Sequence, residues 1–147
     1  MLVHDIINSG REEDIAIVDE GRQITYSQLK AGIKKYRNRL YEIGIRQGDR
    51  VGIFSRNSAE FIYTYFAVTS LGAINVPINF QLSTRETAYI LQDAGVEHLL
   101  TYEPLTFEEK LSVTQYDIAT FGDKIFQRSV HNSPQAYREV PNRLKFL

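Results

Sequence analysis

The sequence predicts an α/β fold: an open, mostly parallel sheet with flanking helices, preceded by a small N-terminal β-hairpin. Three observations carry this. From residue 25 the pattern runs helix, strand, helix, strand, helix, strand, the order of linked βαβ units. Two short apolar runs, 51–55 and 73–78, enclose a mostly apolar stretch at 59–71 that lacks Gly and Pro. Strands that read as near-continuous apolar runs are buried on both faces, as parallel strands are. Glu20-Gly21 separates 16–19 from 23–25, a turn dipeptide of the kind that closes a hairpin.

The elements follow in order. Residues 2–9 read as a short helix ending near Gly10. After the hairpin, Thr25 opens a long helix with a capping box: its side chain accepts the Gln28 N–H, and Gln28 reaches back. Leu29, Ile33, Tyr36, Leu40 and Ile43 are spaced 4, 3, 4, 3, a stripe along one helix face. Lys30, Lys34, Lys35, Arg37 and Arg39 fall on the other side, as a solvated face or a surface for an anionic partner. Gly44 stops the helix. Asn57 or Ser58 caps the next one, and Gly72 ends it with a residue at ease in the left-handed region. Ser83 and Glu86 repeat the capping-box spacing and open a helix to about Asp93. Gly95 then precedes a strand at 97–101. Crossovers between these parallel strands are expected to be right-handed. Further on the pattern weakens: 106–113 reads as a helix and 124–128 as a short strand. The tail from Ser129 contains Pro134 and Pro141 and has no period. The expectation is one domain over 1–147, its core at about 16–101, with 102–147 poorly defined.

The totals narrow the function classes. A chain of 147 residues with 43% hydrophobic and 24% charged residues can bury a core of its own. A formal charge of −1 gives no electrostatic basis for binding nucleic acid or an anionic membrane. There is no cysteine, so disulfides and thiolate catalysis are excluded. No apolar run approaches the roughly 20 residues that span a bilayer, and the first residues lack the basic and apolar regions of a signal peptide. His4, His98 and His131 have no metal-ligand spacing.

The sequence shows little chemistry. Gly44, Gly48 and Gly52 recur every four residues but form no G-x-G-x-x-G or G-x-x-x-x-G-K-[ST] loop; a helix stop and a turn account for the first two. No G-x-S-x-G elbow is present. Asp49, Arg50 and Arg56 flank a strand, where they could anchor a ligand or form a turn salt bridge. The acidic neighbours Glu12-Glu13-Asp14 and Glu108-Glu109 point in different directions along a helix instead of converging. Phe61, Tyr63, Tyr65 and Phe66 suit core packing better than an acyl pocket.

A set of phrases in fixed order does resemble a family. They are Thr25-Tyr26 with Leu29, Gly48-Asp49-Arg50-Val51, Asn57-Ser58 before Glu60-Phe61, Gly72-Ala73, Val76-Pro77-Ile78-Asn79, and Tyr89-Ile90-Leu91 with Asp93. Over about residues 16–101 they resemble the N-terminal part of the adenylate-forming, AMP-binding acyl-CoA synthetases, in particular fatty-acid–CoA ligases. Relatives also begin with a hairpin ahead of this helix. The resemblance implies a parent enzyme that uses ATP, Mg²⁺ and coenzyme A. It joins a carboxylate to AMP with release of pyrophosphate and then passes the acyl group to a thiol. Mg²⁺ would offset phosphate charge during transfer.

The motifs that carry this chemistry in the family are missing. There is no Ser/Thr/Gly-rich phosphate loop, no aromatic-Gly-x-Thr-Glu segment, no ribose-holding Asp in its motif and no C-terminal catalytic Lys; Thr69-Ser70 continues into Leu71-Gly72. No catalytic, cofactor-binding or metal-binding residue is therefore assigned, and the chain is expected to bind no cofactor itself. It reads as the first subdomain of a cytoplasmic ligase, from an expressed fragment or a shortened gene, inactive alone. Its expected partner is the remainder of the ligase, with a homodimer or domain swap of the fragment as a further possibility; nucleic acid and a membrane span are not expected. The turn 79–82 lies near the coenzyme A entry by the resemblance. Two alternatives stay open: a stand-alone α/β binding or interaction module without catalysis, and a flavodoxin-like or Rossmann-like nucleotide binder.

Overall fold

Each α-helix among the described residues begins at a side chain that accepts a backbone N–H otherwise left without a partner. The computed structural model describes residues 11–123. The helix expected at 2–9, the strand expected at 124–128 and the tail beyond it lie outside the described residues. Thr25 Oγ1 accepts from Gln28 N at 3.2 Å, and Gln28 Oε1 accepts from Thr25 N at 2.9 Å. This box opens α1, Tyr26–Glu42. Ser58, not Asn57, caps α2, Ala59–Ser70, by accepting from Phe61 N at 3.1 Å. Ser83 and Glu86 form a second capping box at the start of α3, Thr84–Asp93.

The hairpin is as the turn dipeptide predicts. Strands β1, Ile15–Asp19, and β2, Arg22–Thr25, pair antiparallel. Glu20 and Gly21 both have positive φ, 48° and 85°, the left-handed pair that matches the twist of flanking strands. The main sheet holds β3, Arg50–Phe54, β4, Ile74–Ile78, β5, His98–Thr101, and β6, Thr114–Asp117. All its pairings are parallel, in the order β4-β3-β5-β6.

Side chains along these strands alternate between two cores. Val51, Ile53, Leu100 and Tyr116 join Leu29, Ile33, Tyr36 and Leu40 of α1 and Ala67 and Val68 of α2. The stripe read from the 4, 3, 4, 3 spacing is thus the buried face of α1. Phe54 and Leu99 point the other way and pack with Leu91 of α3 and Val96. Gly52 lies on that second side. A Cβ there would meet Leu99 Cδ1 at 2.9 Å, Val96 Cγ1 at 3.1 Å and Leu91 Cδ2 at 3.3 Å, so only glycine leaves room for these side chains. Phe61, Tyr63 and Phe66 pack against the first core, while Tyr65 is exposed.

One expected helix does not form. Residues 106–113 run as an irregular strap that links β5 to β6. Leu105, Phe107, Leu111 and Val113 lay their side chains on the second core. Their spacing suits an extended cover better than a 3.6-residue stripe, and joining two adjacent parallel strands requires a crossover on one face. Strand β6 was not legible in advance, because TQYD has only Tyr116 as a strong apolar residue.

Candidate functional site

The strand order fixes where a crevice opens. β3 leads into α2 on one face of the sheet, whereas β5 leads into the strap on the other. The two connections diverge, and in open α/β sheets such a switch point leaves a crevice outside the carboxyl ends of the strands. A cleft of about 680 Å³ lies there. One wall is residues 56–58 after β3, the opposite wall is 102–104 after β5, and Ile118 and Ala119 follow β6. The hairpin turn contributes Asp19, Glu20 and Arg22.

A clasp of charged groups joins the hairpin to α2. Asp19 Oδ2 accepts from Ala59 N, the first helical residue, at 2.9 Å. Arg22 pairs with Asp19 and reaches Glu60 Oε1 at 3.0 Å. The Ala59 N–H, then the Arg22 guanidinium, hold the Asp19 carboxyl below the usual carboxylate range. Arg22 in turn is held more firmly protonated by its bonds to Glu60 and Asp19. No local pattern announces this clasp, since Arg22 and Glu60 are 38 positions apart and Asp19 and Ala59 are 40 apart.

Across the cleft, Tyr102 stacks on Phe54 with ring centroids 5.7 Å apart and meets Phe80 edge-on at 6.1 Å. Burial, and then the neighbouring Glu103 charge, push its hydroxyl up from the ordinary tyrosine value. Arg56 borders the same cleft and is exposed. Among the described residues it has no ion-pair partner.

The residues singled out in the sequence divide clearly. Asp49 serves a turn, where its carboxylate accepts from Arg46 N at 2.7 Å; Arg50 starts β3. Of that trio only Arg56 reaches the cleft. Gly44 and Gly48 have positive φ in turns, and Gly52 lies within β3. His98 pairs with the Tyr116 hydroxyl at 3.0 Å; His4 and His131 lie outside the described residues. Among the described residues no group of three or more His, Asp and Glu is placed to hold a metal ion. The basic side of α1 is solvated at Lys34, Lys35 and Arg37. Arg39 departs from it: it is buried, with its guanidinium 5.7 Å from the Phe121 ring centre and 3.6 Å from Glu42.

Hairpin, parallel sheet and switch-point crevice define an α/β module. The model of the AMP-binding enzyme family matches residues 7–142, and the chain belongs to that family. Crotonobetaine/carnitine–CoA ligase of Salmonella typhimurium is 44% identical over 80 residues, which is 54% of this chain and 16% of that protein. The chain therefore spans only a small part of the length of the curated relatives it matches. O-succinylbenzoate coenzyme A synthetase of Bacillus subtilis, solved with ATP and magnesium ion, superimposes with a TM-score of 0.71 at 28% identity. That match covers 84% of this chain and 34% of the synthetase. The N-terminal subdomain of NpsA from Klebsiella oxytoca, solved with anthranilyl-AMSN, shares the fold, with a TM-score of 0.74 at 24% identity over 86% of this chain and 33% of that one. Among the described residues no helix is long and apolar enough to cross a membrane.

Proposed function

We propose that this chain is the hairpin-and-sheet scaffold of the adenylating domain of a cytoplasmic, ATP-, Mg²⁺- and coenzyme A-dependent acid–CoA ligase, and that it neither adenylates nor thioesterifies alone. The observation that carries the reading is the family match over 7–142, in a sequence that contains none of the family's phosphate-loop or catalytic-lysine motifs. The rest of a ligase chain is its partner, and it supplies those motifs. A fatty or other apolar acid is the expected substrate class. The aromatics of α2 lend it no weight, because Phe61, Tyr63 and Phe66 belong to the core.

The test grafts residues 11–123 in place of the matching segment of crotonobetaine/carnitine–CoA ligase. We expect acid-dependent ATP–pyrophosphate exchange from the folded chimera and none from the present chain by itself. Exchange by this chain alone, rising in proportion to its concentration, would overturn the reading. Edge strand β4 exposes Ile74 at 45%, and open strand edges favour association, so the isolated chain is expected to dimerise. A monomer mass by light scattering at high concentration would refute that part.

A further inference from the structure

We propose that the outer face of α1 that carries Lys30, Lys34, Arg37 and Tyr41 is a docking surface for a short acidic helix of a partner protein. The inference goes beyond the ligase reading and does not depend on it. These four side chains are spaced 4, 3, 4 and so stand in one row along the helix. From the helical rise the row is about 16 Å long. Arg46 extends it. Its Cζ lies 3.5 Å from the Tyr41 ring centre, and its Nη1 donates to the Tyr41 and Ile45 carbonyls, each at 2.9 Å. Lys34, Arg37, Tyr41 and Arg46 are exposed. Among the described residues none of Lys30, Lys34, Arg37 and Arg46 pairs with an acid. The other two cations of α1 differ: Lys35 meets Asp123 at 3.8 Å and Arg39 meets Glu42 at 3.6 Å.

The row is kept against local stability. Like charges three and four residues apart repel on a helix, and Lys30, Lys34 and Arg37 are so placed. No acid stands in the first turn of α1, where one would suit the positive helix end. The chain as a whole carries a formal charge of −1, yet no acid interrupts the row. Local rules are broken where a surface is in use. The partner's class follows from spacing and length. Acids three and four residues apart on a helix face stand about 5–6 Å apart, the interval of these cations. Glu12 and Glu13 lie exposed beside the start of α1, where the Glu12 carbonyl accepts from Ser27 N at 3.1 Å, and Glu42 ends the helix. With acids at both ends, the positive strip is short. A nucleic-acid backbone or an anionic bilayer would run past it into like charge, whereas a few turns of acidic helix end within it. Tyr41, 52% exposed, offers that helix an apolar contact.

The experiment is a ¹H–¹⁵N titration of the whole chain with an alanine-based helical peptide whose three glutamates are spaced four and three apart. The comparisons are a peptide of the same composition with its glutamates on different faces, heparin, and vesicles rich in phosphatidylserine. The patterned peptide is expected to give saturable shifts at the amides of Lys30, Lys34, Arg37 and Tyr41, weaker as salt rises. At equal charge concentration the other three are expected to shift them less. Lys34→Gln should weaken the patterned peptide about threefold, since a single exposed pair is worth little. Lys34→Glu should abolish binding while the melting temperature stays level or rises, because the reversal turns two repulsions along the helix into attractions. The proposal is overturned by the absence of saturable shifts, or by an equal response to the scattered peptide. Tighter binding of heparin or vesicles at the same amides would overturn it too. So would Lys34→Glu, if that variant bound like wild type or melted lower. Pyrophosphate exchange by the chimera is untouched by these results, so the two readings fail separately.

Discussion

Gln115 holds both backbone groups of Leu105. Its side-chain oxygen accepts the Leu105 N–H at 3.0 Å, and its amide nitrogen donates to the Leu105 carbonyl at 2.9 Å. The side chain does what a neighbouring strand would do and pins the start of the strap where Leu105 enters the second core. Gln115→Ala strands both groups, at a cost of about 1–3 kcal/mol. Gln115→Glu keeps an acceptor and loses the donor, so it should fall between the two. Urea denaturation checks the order; coincident midpoints for all three proteins would mean that apolar contact alone seats the strap.

Asp19 caps α2 from outside the helix, and Asp19→Ala should cost about 1 kcal/mol. The effect depends on pH. A carboxyl depressed in the folded state stabilises above its unfolded value, near 3.9, and that contribution fades as pH falls through the folded value. The stability gap between wild type and Asp19→Ala should therefore be full at pH 6 and shrink below pH 4. A gap that stays constant to pH 2.5 would show that the cap acts without its charge.

Gly52→Ala places a methyl group 2.9 Å from Leu99 Cδ1 between sheet and α3. Overpacking of this kind costs about 1–3 kcal/mol. Leu99→Ala added to it should recover part of the loss, which a double-mutant cycle in thermal melts would reveal as favourable coupling. Additive losses would argue that α3 has moved away as a body.

His98 is half-buried beside Tyr116, with rings 5.9 Å apart. Burial drives its value below the ordinary one and outweighs the opposing charges of Glu97 and Asp49. For a group depressed on folding, neutral in the fold, stability is present above the unfolded value of about 6.5 and lost as pH falls below it. Wild type should lose stability between pH 7 and pH 5 more steeply than His98→Gln. Parallel profiles would rule His98 out as the cause.

The parts of this fold legible in the sequence are those set by local physics. Capping boxes at Thr25 and Ser83, the turn at Glu20-Gly21 and the α1 stripe each depend on neighbours within a few residues, and each stands where it reads. The segment 106–113 misled because its conformation is dictated by distant groups: the second core under it and the side chain of Gln115 beside it. The site divides the same way. Arg56 was visible as a flanking cation, but its place in a cleft depends on strand order. The Asp19–Arg22–Glu60 clasp was invisible, because nothing near Asp19 in the chain announces Glu60.

The strap also gives the sheet two sides of unequal lifetime. α1 and α2 cover one face with their own ladders of backbone bonds. Part of the other face lies under 106–113, from which, among the described residues, no main-chain N–H reaches another main-chain group. Local opening starts where backbone groups lack such bonds. Solvent deuterons should thus enter from the strap side first, reaching the edge strand β6 and then β5 beside it while the amides of α1 are still protonated.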